Sequence, residues 1–206
     1  MRQLLASLIM LMAAWNAASA DTATQADTAA GREKAQPCAA CHGQTGISPS
    51  GLFPNLAGQK ASYLVKQLEE IRDGERKVPQ MTGQLDGFSD QDIRNVAAFY
   101  AEQEPALGQA DPDEALVAHG RELYRAGDLE RGLPACSACH TPTGAGIGSA
   151  AYPALSGQKT DYTIAALKAF AEGSRDNDPN AIMRDIAAKL SERDMNALAN
   201  YVLGLH

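Results

Sequence analysis

The sequence CAACH at residues 38–42 decides how this chain folds, and it recurs as CSACH at residues 136–140. The Cys-x-x-Cys-His pattern is the attachment signature of c-type haem. Two thiols on one helical turn can each form a thioether with a haem vinyl group, and the next histidine then supplies a proximal ligand to the iron. The two copies therefore predict two covalently bound haem c groups, with thioethers from all the cysteines of the chain: Cys38, Cys41, Cys136 and Cys139.

The first twenty residues are typical of a secretory signal peptide. Arg2 supplies a positive end, residues 4–14 are apolar, and Ala18-Ser19-Ala20 offers a cleavage site. The apolar run is short for a membrane span. We therefore expect residues 1–20 to be removed near Ala20 and the mature chain to lie in the periplasm, an uncleaved anchor being the alternative. Loose association with the membrane surface stays open, because it needs no span.

The predicted export and the net charge of the chain exclude some classes of protein. In an oxidising compartment four cysteines would ordinarily suggest two disulfides, and a zinc ribbon could use the same pairs, but neither explains a histidine after each pair. The formal charge is −7, from 18 basic and 25 acidic residues. This balance argues against a nucleic-acid partner, which requires a basic face.

The chain repeats itself at an offset of about one hundred residues. FPNLAGQK at residues 53–60 recurs as YPALSGQK at residues 152–159. A long repeat present only twice indicates duplicated domains. The predicted divisions are an N-terminal domain at 21–104, a linker at 105–113 rich in proline and glycine, and a C-terminal domain at 114–206.

Each half reads as a few short helices wrapped around its haem, so the predicted fold class is all-α. Apolar spacing and capping residues define the helices. In the first half they cover residues 27–36 and 59–72, and a third helix begins after a cap at Ser89. In the second half a helix capped by Asp111-Pro112 runs to Leu123, and two more cover residues 158–172 and 191–203.

Two methionines occupy equivalent positions and are the predicted sixth ligands of the irons. Met81 lies eight residues before Ser89, and Met183 lies eight residues before Ser191. A methionine is otherwise an adaptable core residue, and this reading suits Met195, which aligns with an apolar position in the last helix. Of the histidines, the predicted proximal ligands are His42 and His140, while the other two, His119 and His206, occupy no equivalent positions.

Each half resembles a class I cytochrome c, most clearly in Pro54 to Gly58, and the whole mature chain resembles the dihaem cytochrome c4 family. The resemblance implies that the carbonyls of Pro54 and Pro153 accept a hydrogen bond from the haem histidines. It also implies that Gly31 and Gly120 let the first and last helices approach closely, and that the domains face each other with haem propionates near their interface. The first half departs slightly, because it has only six residues between Gly31 and Cys38, where the second has fifteen between Gly120 and Cys136.

The same resemblance implies a one-electron carrier, not an enzyme. It would take electrons from a respiratory complex and deliver them to a haem–copper terminal oxidase, with no small-molecule substrate, because histidine and methionine fill the axial positions of the iron. Two alternatives remain. One is the cytochrome subunit of a dehydrogenase complex, such as a flavoprotein that oxidises sulfide. The other is a dihaem peroxidase, which needs one five-coordinate iron.

Overall fold

The computed structural model of the chain describes residues 25–205. The predicted signal peptide and His206 lie outside these residues. Within them the α-helices of the first half are α1 (Thr28–Lys34), α2 (Ala39–His42), α3 (Ala61–Arg72) and α4 (Asp90–Ala101). Those of the second half are α5 (Glu114–Ala126), α6 (Ser137–His140), α7 (Thr160–Ala171), α8 (Ile182–Ala187) and α9 (Glu192–Leu203). Between residues 25 and 205 the only β structure is two isolated bridges, so the all-α prediction is confirmed.

The first and last helices of each half cross at a glycine. In the first half α1 packs against α4, and a side chain at Gly31 would overlap the carbonyl oxygen of Asn95. In the second half α5 packs against α9, and a side chain at Gly120 would overlap the carbonyl oxygen of Ala197. Both glycines therefore permit backbone contact between helices, as the resemblance implied.

Each half has its own hydrophobic core beside its cysteine motif. In the first, Leu64, Val96 and Tyr100 belong to a buried cluster against which Cys38 packs. In the second, Leu198 belongs to the corresponding cluster against which Cys136 packs. Burial of aliphatic and aromatic side chains stabilises each half by roughly 1.5–3 kcal/mol per side chain. The attachment motifs thus lie at the edge of the cores.

Capping residues set the helix starts. Ser89 and Asp92 form a capping box at α4, and Ser191 and Asp194 form the same box at α9. At α5 the prediction was wrong by two residues: the cap is Asp113, whose carboxylate accepts the N–H groups of Ala115 and Leu116. A side-chain oxygen that satisfies these free N–H groups fixes where the helix begins. The helix also continues to Ala126, beyond the predicted end at Leu123.

The extra residues of the second half form a small hairpin. Asp128 and Leu133 exchange two backbone hydrogen bonds, both of 2.8 Å. The Leu133 side chain is 1 % exposed and belongs to the core of the second half. The insertion therefore contributes a core residue and leaves the haem motif in place.

Helix α8 was not predicted. Met183 lies in it, whereas Met81 ends a 3₁₀ turn (Pro79–Met81) that is followed by loop. The first half has Gly83 and Gly87 after its methionine, both with positive φ, and glycine is unfavourable inside a helix. Residues 184–190 contain no glycine, so the segment after Met183 can continue as a helix.

The connection between the halves passes beside two equivalent glycines. The ring of Pro105 lies over Gly58, and the carbonyl of Ala106 lies against Gly157, so that a side chain at either glycine would overlap the linker. No helix in residues 25–205 is long and apolar enough to cross a membrane. The predicted domain boundaries stay a prediction.

Candidate functional site

The four cysteines stand half-buried at the start and end of short helical turns. Cys38 immediately precedes α2 and Cys136 immediately precedes α6, so that each pair spans one turn. None of the four forms a disulfide with another. Burial raises the pKa of Cys136 to about 11 and raises that of Cys38 as well. As thiols, Cys38 and Cys136 are therefore protonated at neutral pH, which is the form of cysteine that reacts least.

The two motif histidines are held identically. Each is 7 % exposed, and each Nδ1–H donates to a proline carbonyl at 3.0 Å, from His42 to Pro54 and from His140 to Pro153. This is the contact that the resemblance implied. Burial lowers the pKa of both histidines, although the proline carbonyl acts in the opposite direction. The rings are therefore neutral near pH 7, with Nδ1 engaged, and Nε2 is the nitrogen available to an iron.

The loops that present the two prolines are built differently. In the first half the Ser48 N–H donates to the Asn55 side chain at 2.9 Å, and the Ser48 hydroxyl donates to the carbonyl of Cys41 at 2.9 Å. In the second half Ile147 and Tyr152 exchange backbone hydrogen bonds of 2.9 and 3.0 Å. A side-chain bridge and a backbone bridge thus hold equivalent carbonyls in the same place.

Met81 and Met183 are both half-buried, each on the segment that precedes the last helix of its half. Met195 is 4 % exposed and lies in the core of the second half. His119 donates its Nε2–H to Asp194 at 2.7 Å, and this bond engages it away from the motifs. Ligation by Met81 and Met183 stays a prediction.

A cluster of two arginines lies where the halves meet, and the sequence reasoning missed it. The side-chain oxygen of Gln67, a buried residue, accepts from Arg76 Nη1 at 2.6 Å and from Arg175 Nη2 at 3.0 Å. Arg175 Nη2 also lies 3.1 Å from the hydroxyl of Tyr63. Burial raises the pKa of Tyr162, but the charges of the two arginines outweigh it and the pKa is lowered.

Neither of these guanidinium groups forms a salt bridge within residues 25–205. Two arginines without an acidic partner form a donor set that suits carboxylates. Each haem carries two carboxylates, its propionate groups. The residues present therefore fit the predicted cofactor. The signal was available in the repeat, because Arg175 follows Arg76 at the offset of 99 that also relates Tyr162 to Tyr63.

Comparisons with known proteins agree with the duplicated architecture. Residues 117–206 match the family model "Cytochrome c", and residues 24–99 match "Cytochrome C oxidase, cbb3-type, subunit III". The chain is 46 % identical to cytochrome c4 of Pseudomonas aeruginosa over the full length of both proteins. It is 50 % identical to cytochrome c4 of Azotobacter vinelandii, covering 87 % of this chain and 90 % of the relative.

A solved structure and a more distant relative extend the comparison. The crystal structure of reduced recombinant cytochrome c4 from Pseudomonas stutzeri matches with a TM-score of 0.85 and 46 % identity, over 88 % of this chain and all of that one. A protein of Thiomonas intermedia named thiosulfate dehydrogenase electron acceptor is 36 % identical, covering 87 % of this chain and 83 % of the relative. The similarity therefore extends through both halves.

Proposed function

This chain belongs to the dihaem cytochrome c4 family of electron carriers, and on that premise we propose that it carries single electrons in the periplasm from a respiratory complex to a terminal oxidase. As a member of this family it has two covalently bound haem c groups. Each supplies an iron that gains and loses one electron. The proposal of export is supported by residues 1–20 and by the relatives.

The observation that carries the proposal is the equivalence of the two histidine sites. His42 and His140 have the same burial and the same 3.0 Å hydrogen bond to a proline carbonyl. Neutral, fixed imidazoles are good iron ligands that keep one orientation in both oxidation states. Two sites built alike favour one shared task over a division into a catalytic site and a carrier site.

In this proposal the ligand set of the first half is His42 with Met81, and that of the second half is His140 with Met183. The thioethers would come from Cys38 and Cys41, and from Cys136 and Cys139. Methionine and histidine together would occupy both axial positions and leave no room for oxygen, peroxide or an organic substrate. Arg76 and Arg175 would neutralise buried carboxylates of the cofactor. The protein residues would thus hold the cofactor in place, neutralise its carboxylates and keep water away from the iron.

A test of the ligand set uses the weak far-red band that methionine-ligated ferric haem shows. We expect the oxidised wild type to have this band at full strength per haem, and Met81→Ala and Met183→Ala each to lose about half of it. Met195→Ala is the matched control and should keep the whole band. A wild-type band of half strength that is insensitive to one substitution would contradict the proposal and favour the peroxidase alternative, which needs an open iron.

A second function is favoured by one of the relatives, the thiosulfate dehydrogenase electron acceptor. In this second function the chain accepts electrons from a dehydrogenase. The dehydrogenase complex predicted from the sequence as an alternative has the same kind of electron donor. Reduced holoprotein mixed with a haem–copper oxidase should be oxidised rapidly if the first proposal holds. Rapid reduction by thiosulfate dehydrogenase and thiosulfate, with slow oxidation by the oxidase, would favour the second.

A further inference from the structure

Two buried glutamines join the halves by clamping backbone on the opposite side of the interface. Gln158 accepts the Asn55 N–H at 2.8 Å and donates its amide to the Asn55 carbonyl at 3.0 Å. Gln59 makes the same two contacts with Ala154, at 2.7 and 3.0 Å. The glutamines are 7 % and 6 % exposed respectively. The clamps are therefore reciprocal and buried, and each glutamine uses both its amide oxygen and its amide nitrogen.

Each clamped residue directly follows the proline that accepts from a motif histidine. The peptide group between Pro54 and Asn55 accepts from His42 Nδ1–H at its carbonyl and donates to Gln158 at its N–H. A continuous chain of two hydrogen bonds thus runs from the histidine of the first half, through one peptide group, to a side chain of the second half. The reverse chain runs through His140, Pro153, Ala154 and Gln59.

Hydrogen bonds in such a chain polarise one another. When the peptide N–H donates to a glutamine oxygen, electron density moves toward the peptide carbonyl, which becomes a stronger acceptor. The histidine N–H is then more polarised, and the ring becomes a more basic ligand. A more basic ligand stabilises the ferric state and lowers the reduction potential.

We propose that Gln158 and Gln59 are positioning residues that tune the iron site of the opposite half through the proline peptide bound to its histidine. This inference rests on the proposed ligation by His42 and His140. The reduction potential of each iron site then depends on how the other half packs against it. Glutamine suits the role because one side-chain amide both donates and accepts, so that it can pair with both groups of a single residue.

The test is a potentiometric titration of the full-length holoprotein, with the two haems distinguished by their NMR signals. Gln158→Met keeps the side-chain volume but removes the acceptor. We expect it to favour reduction of the first-half haem by about 3- to 10-fold, roughly 30 to 59 mV for one electron, and to leave the second-half haem unchanged. Gln59→Met should do the reverse. Gln103→Met is the matched control, because the Gln103 side chain donates to the Phe99 carbonyl within its own half.

A rescue variant distinguishes tuning from loosening of the interface. Gln158→Glu retains an oxygen that accepts the Asn55 N–H, so it should return the potential of the first-half haem to the wild-type value or below. A loosened interface would admit water, favour the more charged ferric state and lower both potentials. Three outcomes would overturn the inference: lower potentials at both haems, a shift confined to the haem of the mutated half, or no shift while the far-red band is intact. Absence of the far-red band in the wild type would instead overturn the proposed ligand set.

Discussion

Asp194 is the most heavily bonded carboxylate of the second half, and its replacement should show how much that network stabilises α9. One of its oxygens accepts from the Ser191 N–H and hydroxyl at 2.9 and 2.8 Å and from Arg131 Nη1 at 2.7 Å. The other accepts from His119 Nε2 at 2.7 Å. The side chain is 5 % exposed. Asp194→Asn keeps the shape but removes the charge from all of these contacts.

The expected loss follows from the contacts that asparagine cannot replace. A hydrogen bond to a charged group contributes about 1.5–3 kcal/mol, but Arg131 is 36 % exposed and water replaces part of its bond. Loss of the charge at the helix N-terminus adds about 0.3–1 kcal/mol. We therefore expect Asp194→Asn to lower the free energy of unfolding of the second half by about 2 kcal/mol.

Asp92 provides the matched control. It occupies the same position in the capping box of α4, is 30 % exposed, and has one cationic partner, Lys34, at 3.3 Å. Asp92→Asn should cost the first half less than about 1 kcal/mol, as expected for exposed pairs. Hydrogen exchange of the slowest amides in α4 and α9 of the reduced holoprotein reports on each half separately. Equal losses in the two variants would refute the reasoning.

The same variant has a pH signature. The pKa of Asp194 is lowered, since the bonds from Arg131, Ser191 and His119 outweigh its burial. A lowered pKa stabilises the folded state above the unfolded pKa, near 3.9, and the contribution is lost as the pH falls toward the folded pKa. The contribution of the Asp194 charge, seen as the difference between wild type and Asp194→Asn, should therefore shrink as the pH falls below about 4.

Two other substitutions test the packing of the helices and the interdomain arginines. Gly120→Ala should destabilise the second half by about 1–3 kcal/mol in urea denaturation, because the new methyl group overlaps the Ala197 carbonyl. This loss is expected even though alanine favours helix over glycine by about 1 kcal/mol. An unchanged denaturation midpoint would contradict the close contact. Arg175→Leu should raise the pKa of Tyr162 by removing one of the charges that lower it. An NMR titration of the tyrosine ring carbons measures this shift, and an unchanged pKa would show that Arg175 is not its source.

Patterns confined to a few neighbouring residues could be interpreted without the structure. The Cys-x-x-Cys-His motifs, the serine caps before α4 and α9 and the equivalent positions of Met81 and Met183 depend on spacing along one turn or one repeat. Such spacing is imposed by covalent geometry and helical periodicity, which act locally. The resemblance then implied the proline contacts of His42 and His140, and the structure has both at 3.0 Å.

The errors made from the sequence were also local. Asp113 competes with Asp111 for the start of α5, and both are good caps. Helix α8 forms because residues 184–190 lack the glycines that interrupt the equivalent segment of the first half. Propensity at one position is a weak indicator, and the surrounding packing decides between close alternatives.

The sequence by itself thus determined the cofactor attachment, the duplication and the all-α class, because these are written in short spacings. Only the tertiary structure decided that Gln158 reaches Asn55, 103 residues away, and that Arg175 meets Gln67, 108 residues away. Contacts of this kind depend on how two finished surfaces meet. The arrangement of the two halves is set by the sum of their packing and hydrogen bonding, so it cannot be predicted from any single segment.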